Sequence, residues 1–230
     1  MILRYGEHPS QHAELRVPDG DPRGVVVVVH GGFWKQEYGL EWGRPLAEDL
    51  TARGWATLNL EYRRVGDGGG LPATADDVAA GVALLDTVDL DRSTVVALGH
   101  SAGGHLATWV ASRGLVTAVV AQAGVLDLRA AHADGLGGGA VEKLLGRAPT
   151  DEDACWDPVR QVPLDVPVWC VHAPDDDEVP ISQSRRYVAA ARAAGGEATL
   201  VEVTGGHYEV VDPTTEAWRT TVGVLDALAR

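Results

Sequence analysis

Apolar positions along this chain fall in short unbroken runs separated by longer amphipathic stretches. Residues 25–30, VVVVVH, carry no polar interruption, the pattern of a strand buried on both faces. Similar runs at residues 55–62, 94–100, 116–122, 166–172 and 198–203 predict five more strands. Between them lie helical patterns. EWGRPLAEDLTARG ends at Gly54, placed as a C-cap, and TADDVAAGVALLDTV follows Pro72. SAGGHLATWVASRG and SQSRRYVAAARAAGG each follow a predicted strand. A last helix opens at DPTTE, with Asp212 placed to cap it and Pro213 at the first helical position. The alternation predicts a parallel sheet covered by helices on both faces, and HAELRVPDG adds an antiparallel edge strand or hairpin.

One segment breaks this rhythm. Residues 123–165 separate two strands by more than an ordinary connection, and the stretch AVEKLLGRAP within them predicts a short helix. Such an excursion suits one wall of a binding site or plain surface packing. The 230 residues show no internal repeat and no linker, so a single domain over 1–230 is expected.

Charge and cysteine usage narrow the classes. A formal net charge of −14 argues against binding nucleic acid or an anionic membrane, both of which need clustered cations. No apolar stretch reaches the ~20 residues of a membrane helix, and MILRYGEHPS lacks the apolar core of a signal peptide. Cys170 sits in an apolar run and Cys155 in a polar one, so a disulfide scaffold is not expected and the cytoplasm is the expected compartment. His8, His12 and His132 have no ligand spacing, and no metal site is expected.

The chemistry concentrates in VVALGHSAGGHLATWV, residues 95–110. A serine that ends a buried strand and begins a helix sits on a sharp, strained turn, where the residues two before and two after nearly touch. Here these are Gly99 and Gly103 around Ser101. The turn lifts the Ser101 hydroxyl off the sheet and leaves the Ala102 amide free at a helix start. A serine needs a histidine base, itself oriented by a carboxylate, and in sheet-based hydrolases the order is Ser, acid, His. His207 follows the strand at 198–203 behind the flexible pair Gly205 and Gly206. The strand at 166–172 runs into Asp175, Asp176 and Asp177, any of which can serve as the acid. An oxyanion needs fixed amide donors. Ala102 supplies one, and the loop after the strand at 25–30, where the chain reads HGGFW, supplies Gly32 and Phe33, with Gly31 shaping the turn. His30, His100 and His105 read as bracing or packing residues, and Arg63 as one half of a structural ion pair. Phe33 and Trp34 are expected to line or roof the site, with Tyr208 beside the base and Trp156 in the excursion as further aromatic candidates.

These strings resemble the α/β-hydrolase superfamily, where a common form of one stretch is H-G-x-x-D-x-x-V-P. HAPDDDEVP aligns His172 with that histidine and Val179-Pro180 with that Val-Pro, which implies Asp176 as the acid; Ala173 departs from the glycine. HGGFW, GHSAGGHLA and GGHYEVVDP narrow the resemblance to the kynurenine formamidase-like and esterase/lipase-like branch, over nearly the whole chain. The resemblance implies an α/β-hydrolase fold: a mostly parallel central sheet, helices on both faces, no large cap domain. It implies a serine hydrolase that cleaves small carboxylic esters or aryl formamides through an acyl-enzyme on Ser101, with Asp176 and His207 completing the triad. Gly32, Phe33 and Ala102 hold the oxyanion, Trp34 and Tyr208 contact substrate, and no cofactor takes part. The expected partner is a small-molecule ester or amide. A general carboxylesterase without formamidase activity is the nearest alternative, and a non-catalytic binding module of the same fold the next.

Overall fold

The structure, a computed structural model, describes residues 1–229. Eight strands form one sheet: β1 (Ile2–Arg4), β2 (His12–Arg16), β3 (Val25–Val29), β4 (Ala56–Leu60), β5 (Val95–His100), β6 (Ala118–Gln122), β7 (Val168–His172) and β8 (Ala198–Glu202). Their order across the sheet is β1-β2-β4-β3-β5-β6-β7-β8. The first two strands pair antiparallel, and every pair from β4 to β8 is parallel. The valine run accounts for the centre. β3 is paired on both edges and buried at every position, so no polar side chain is tolerated there.

Seven helices cover the sheet: α1 (Arg44–Ala52), α2 (Ala73–Ala83), α3 (Ala102–Ala111), α4 (Leu128–Ala133), α5 (Leu136–Leu145), α6 (Ser182–Ala193) and α7 (Glu216–Leu228). Because strand side chains alternate, β3 feeds two cores. Val25, Val27 and Val29 join residues of α2, α3 and α6, including Val78, Leu106 and Tyr187. Val26 and Val28 join Leu46 and Leu50 of α1 and Trp218 and Leu225 of α7. The excursion at 123–165 holds α4, α5 and two short 3-10 turns, and it packs on the first core through Leu128, Val141 and Leu144. Among the described residues no large cap stands over the sheet.

The last helix departs from the expectation. α7 begins at Glu216, and its cap is Thr215, whose side chain accepts from the Trp218 amide at 3.1 Å. Asp212 instead closes a turn ahead of the helix, accepting from the Thr214 amide at 2.9 Å and hydroxyl at 2.7 Å. Two capping side chains stand in succession here, and only the one with extended backbone directly before the helix can cap it. Gly54 behaves as expected, with φ 91° just past α1.

Burial lowers His100 from 6.5 to about 3 and His105 from 6.5 to about 4. Between those values and 6.5 the unfolded chain binds protons that the folded chain refuses, so acid favours unfolding. Asp157, raised by burial from 3.8 to about 6, opposes this within its own window, but two groups outweigh one. The melting temperature is therefore expected to fall steadily from about pH 6.5 to pH 4.5. In His105→Gln, which removes one of the two acid-sensitive groups, the decline should be shallower; an unchanged slope in thermal melts would contradict this origin.

Candidate active site

β5 runs directly into α3 with only Ser101 between them, at φ 54° and ψ −118°. Only glycine fits on either side of the turn, at positions 99 and 103. A Cβ on Gly99 would fall on the Gly103 carbonyl oxygen, and one on Gly103 on the Val29 carbonyl oxygen. The turn is held by its backbone: the Ser101 amide donates to the Gln122 carbonyl at 2.8 Å, and the Ser101 carbonyl accepts from the amides of Gly104 and Val125 at 2.9 and 3.1 Å. Ser101 Oγ is buried and makes no hydrogen bond among the described residues. As the first residue of α3, Ala102 has no carbonyl within the helix to receive its amide.

The loop after β3 is a second unusual turn. Gly32, Phe33 and Trp34 all have positive φ, at 105°, 49° and 57°. His30 braces it. One of its nitrogens, Nδ1, donates to the Gly31 carbonyl at 2.8 Å, and Nε2 meets Glu61 Oε1 at 3.1 Å. Its ring stacks on Tyr62 at 4.4 Å, whose hydroxyl donates to the His30 carbonyl. Burial pushes Glu61 upward, but hydrogen bonds from His30 and the Leu40 amide, together with Arg64, outweigh it and bring the carboxyl down to about 2. A buried anion thus anchors the loop.

The acid and the imidazole arrive from the ends of β7 and β8. Asp176 is buried, whereas Asp175 and Asp177 are exposed. Asp176 Oδ2 accepts from His207 Nδ1 at 2.8 Å, and Oδ1 accepts from the amides of Glu178 and Val179 at 2.9 and 2.8 Å. His172 Nε2 lies 3.3 Å from Oδ2 while donating to the Val179 carbonyl. Burial alone would raise the Asp176 pKa. Hydrogen bonds from His172, His207 and the Val179 amide prevail and hold it well below the usual carboxylate range, so it is an anion at working pH.

Ser101 and His207 line one cavity of about 190 Å³, together with Gly31, Gly32 and Phe33. Its inner wall is apolar, built from Val28, Leu46, Leu98 and Val211. Tyr208 also lines it and is 51% exposed. From the long excursion only Gly137 reaches it. Trp34 does not line it, contrary to the expectation of a roof. With positive φ its side chain turns inward, is 1% exposed, and packs edge-on against His105 of α3 at 5.3 Å. Trp156 is likewise elsewhere, stacked on Trp109 at 5.4 Å. Arg63 is engaged by Asp77 through two contacts of 2.8 and 2.7 Å. Among the described residues no group of three His, Cys, Asp or Glu side chains could hold a metal ion.

The sequence reading did not single out Trp42 or Tyr38, which complete the outer wall. Trp42 is 51% exposed, and nothing in the residues around it in the chain marks that exposure.

A serine on a strand-to-helix turn, facing a histidine–aspartate pair carried by later strand ends of a mostly parallel sheet, defines the α/β-hydrolase class. Within that class the chain belongs to the BD-FAE family, whose family model matches residues 15–190. Solved structures with the same fold include a truncated carbohydrate esterase from gut microbiota, at 20% identity and TM-score 0.82 over 98% of this chain and 94% of that one. Esterase B of Lactobacillus rhamnosis, solved with a tributyrin phosphonate inhibitor, is 22% identical with TM-score 0.83, over 98% of this chain and 83% of its own. Esterase 2 of Thermogutta terrifontis is 20% identical with TM-score 0.78, over 99% and 90%.

The geometry separates the three aspartates experimentally. Asp176→Asn is expected to lower kcat by about 10³–10⁴-fold, the scale of losing the group that orients a catalytic imidazole. Asp175→Asn and Asp177→Asn should stay within about threefold of the parent, the scale of an exposed charge. Steady-state rates on p-nitrophenyl acetate decide it; equal losses in all three would remove Asp176 from its place.

Proposed function

We propose that the protein is a serine esterase acting on short-chain carboxylic esters through an acyl-enzyme on Ser101. The observation that carries this reading is the His207–Asp176 hydrogen bond of 2.8 Å facing the same cavity as the unpartnered Ser101 hydroxyl. In the reaction His207 takes the Ser101 proton as Oγ attacks the ester carbonyl. Asp176 holds the imidazole and stabilises its cation. Amides of Ala102, Gly32 and Phe33 receive the oxyanion. His207 then protonates the departing alcohol, and a water deprotonated by His207 releases the acid and regenerates the serine.

Cavity size favours small acyl groups. About 190 Å³ lies below the ~300–1,000 Å³ of pockets for drug-sized ligands. For the leaving group, a groove of about 600 Å³ adjoins the cavity and shares Trp42, Tyr208 and Val211 with it. Trp42 and Tyr208 expose their rings there, 6.4 Å apart, and Glu41, Glu209 and Asp212 stand around them. Aromatic faces suit the C–H face of a sugar ring, and carboxylates suit its hydroxyls. The likeness to a carbohydrate esterase supports a sugar alcohol as the leaving group. Aryl formamides, N-formylkynurenine among them, are the second reading. It draws on the HGGFW string and on Phe33 at the cavity wall, and the inward turn of Trp34 weakens it. The cytoplasm is the proposed compartment, a reading supported by two cysteine thiols that the fold leaves unpaired.

Purified protein is expected to deacetylate an acetylated xylo-oligosaccharide and p-nitrophenyl acetate, with N-formylkynurenine turned over at least ten times more slowly, on the scale of ~1.4 kcal/mol in the barrier. Trp42→Ala should raise KM for the sugar ester about tenfold while leaving that for p-nitrophenyl acetate within twofold, the pattern of lost leaving-group binding. Preference for the formamide would overturn the ester assignment. Equal effects of Trp42→Ala on both esters would remove the sugar from the groove.

A further inference from the structure

The imidazole of His207 is carried by a short turn, closed locally by the Gly206 amide donating to Glu209 Oε2 at 2.8 Å. Gly205 and Gly206 precede it, and Gly205 has φ 111°. The Gly206–Glu209 bond lies within the turn, so how deeply the ring reaches toward Ser101 is set by contacts between the turn and the sheet. Two side chains at the ends of neighbouring strands make these contacts. His100 ends β5 and Gln122 ends β6, directly opposite each other in register, so both project on the same face of the sheet. His100 Nε2 lies 2.9 Å from the His207 carbonyl oxygen. Gln122 Nε2 donates to the Val210 carbonyl and to Thr221 Oγ1 of α7, the latter at 3.2 Å. The carbonyls of residues 207 and 210 bracket the turn that carries the imidazole, and each is held from below.

A carbonyl oxygen only accepts, so His100 carries its proton on Nε2. That leaves Nδ1 as the bare nitrogen, on the side of Gly31. Its ring lies 4.5 Å from the His207 ring, tilted by 46°. His207 therefore has two ties: Nδ1 to Asp176, which sets the orientation of its ring, and the backbone carbonyl to His100, which sets its depth. Burial keeps His100 neutral down to about pH 3, so this tautomer and this bond persist across the working range.

We propose that His100 is a positioning residue for the esterase reaction, its Nε2–H holding the His207 carbonyl at the depth where the imidazole can serve Ser101. The proposal rests on the reading of His207 as the base. It assigns a task to the variable residue of the elbow, the position between Gly99 and Ser101, which the turn itself does not constrain. The stretch thus supplies the nucleophile and also the strut that sets its partner.

The test compares His100→Leu, which fills space without a donor, with His100→Gln, whose amide nitrogen reaches about as far as Nε2. On p-nitrophenyl acetate the leucine variant is expected to lose about 10- to 100-fold in kcat, as for a displaced catalytic group. KM should stay within about twofold, and labelling of Ser101 by a fluorophosphonate should slow in parallel. His100→Gln should recover most of both rates. Should the leucine variant fail to fold by circular dichroism, His100→Asn replaces it: an amide of equal polarity whose nitrogen falls short of the carbonyl, expected to be slow where glutamine is fast. Leucine or asparagine variants within twofold of the parent in kcat overturn the proposal, as does a glutamine variant as slow as they are, or a loss confined to KM. A parent protein that neither labels nor turns over ester sinks the esterase reading itself, an outcome distinct from all of these.

Discussion

The arrangement depends on a serine kept in a conformation that an L-residue avoids. Holding Ser101 at φ 54° costs on the order of 1–3 kcal/mol. The turn persists because the structure around it leaves no alternative. Its amide is taken by β6 and its carbonyl by the loop after β6 and by the first turn of α3. The neighbouring chains close in until only glycine fits at 99 and 103. The return is geometric: a hydroxyl at the end of the central sheet, and a helix start behind it.

Around that turn the polar groups are placed by burial against hydrogen bonding. Glu61 and Asp176 both sit where burial raises a carboxyl, and both end up lowered because fixed donors surround them. The first anchors the HGGFW loop through His30, and the second orients His207. Two buried anions thus fix the two loops that flank Ser101, from opposite sides of β5. His105, which faces a single carbonyl and has a bare Nδ1, is kept neutral instead. The same chemistry of desolvation yields anchors in one place and inert packing in another, according to the number of donors or acceptors within reach.

Much of this was legible in the order of residues. Strands β3 to β8 and the edge strand β2 lie where the sequence places them; β3 is an unbroken apolar run because it is covered on both faces, whereas β4 buries Thr57 and Asn59 within its run. Ser101 and His207 could be picked out because glycines stand beside each: only glycine fits at 99 and 103, and Gly205 has φ 111°. The carboxylate partner of His207 was less legible. Three aspartates stand in a row, and only the resemblance to a family pattern favoured the middle one; in the structure it alone is buried and paired with His207. Trp34 misled for a related reason. An aromatic next to a reactive loop suggests a pocket wall, but the backbone of that loop turns it toward His105 and away from the cavity.

The sequence by itself determined where the chain can be strand, where it must bend, and where a serine, a histidine and aspartates stand at strand ends. These are local properties, set by side-chain period, by the backbone freedom of glycine and by the chemistry of each group. Tertiary structure alone decided which aspartate meets the imidazole, which aromatics face solvent at Trp42 and Tyr208 and which face the core, and which histidine braces another. Those outcomes depend on distances between residues far apart in the chain, as with His100 and His207. Such distances follow from how eight strands and seven helices pack together, and no single stretch contains that information.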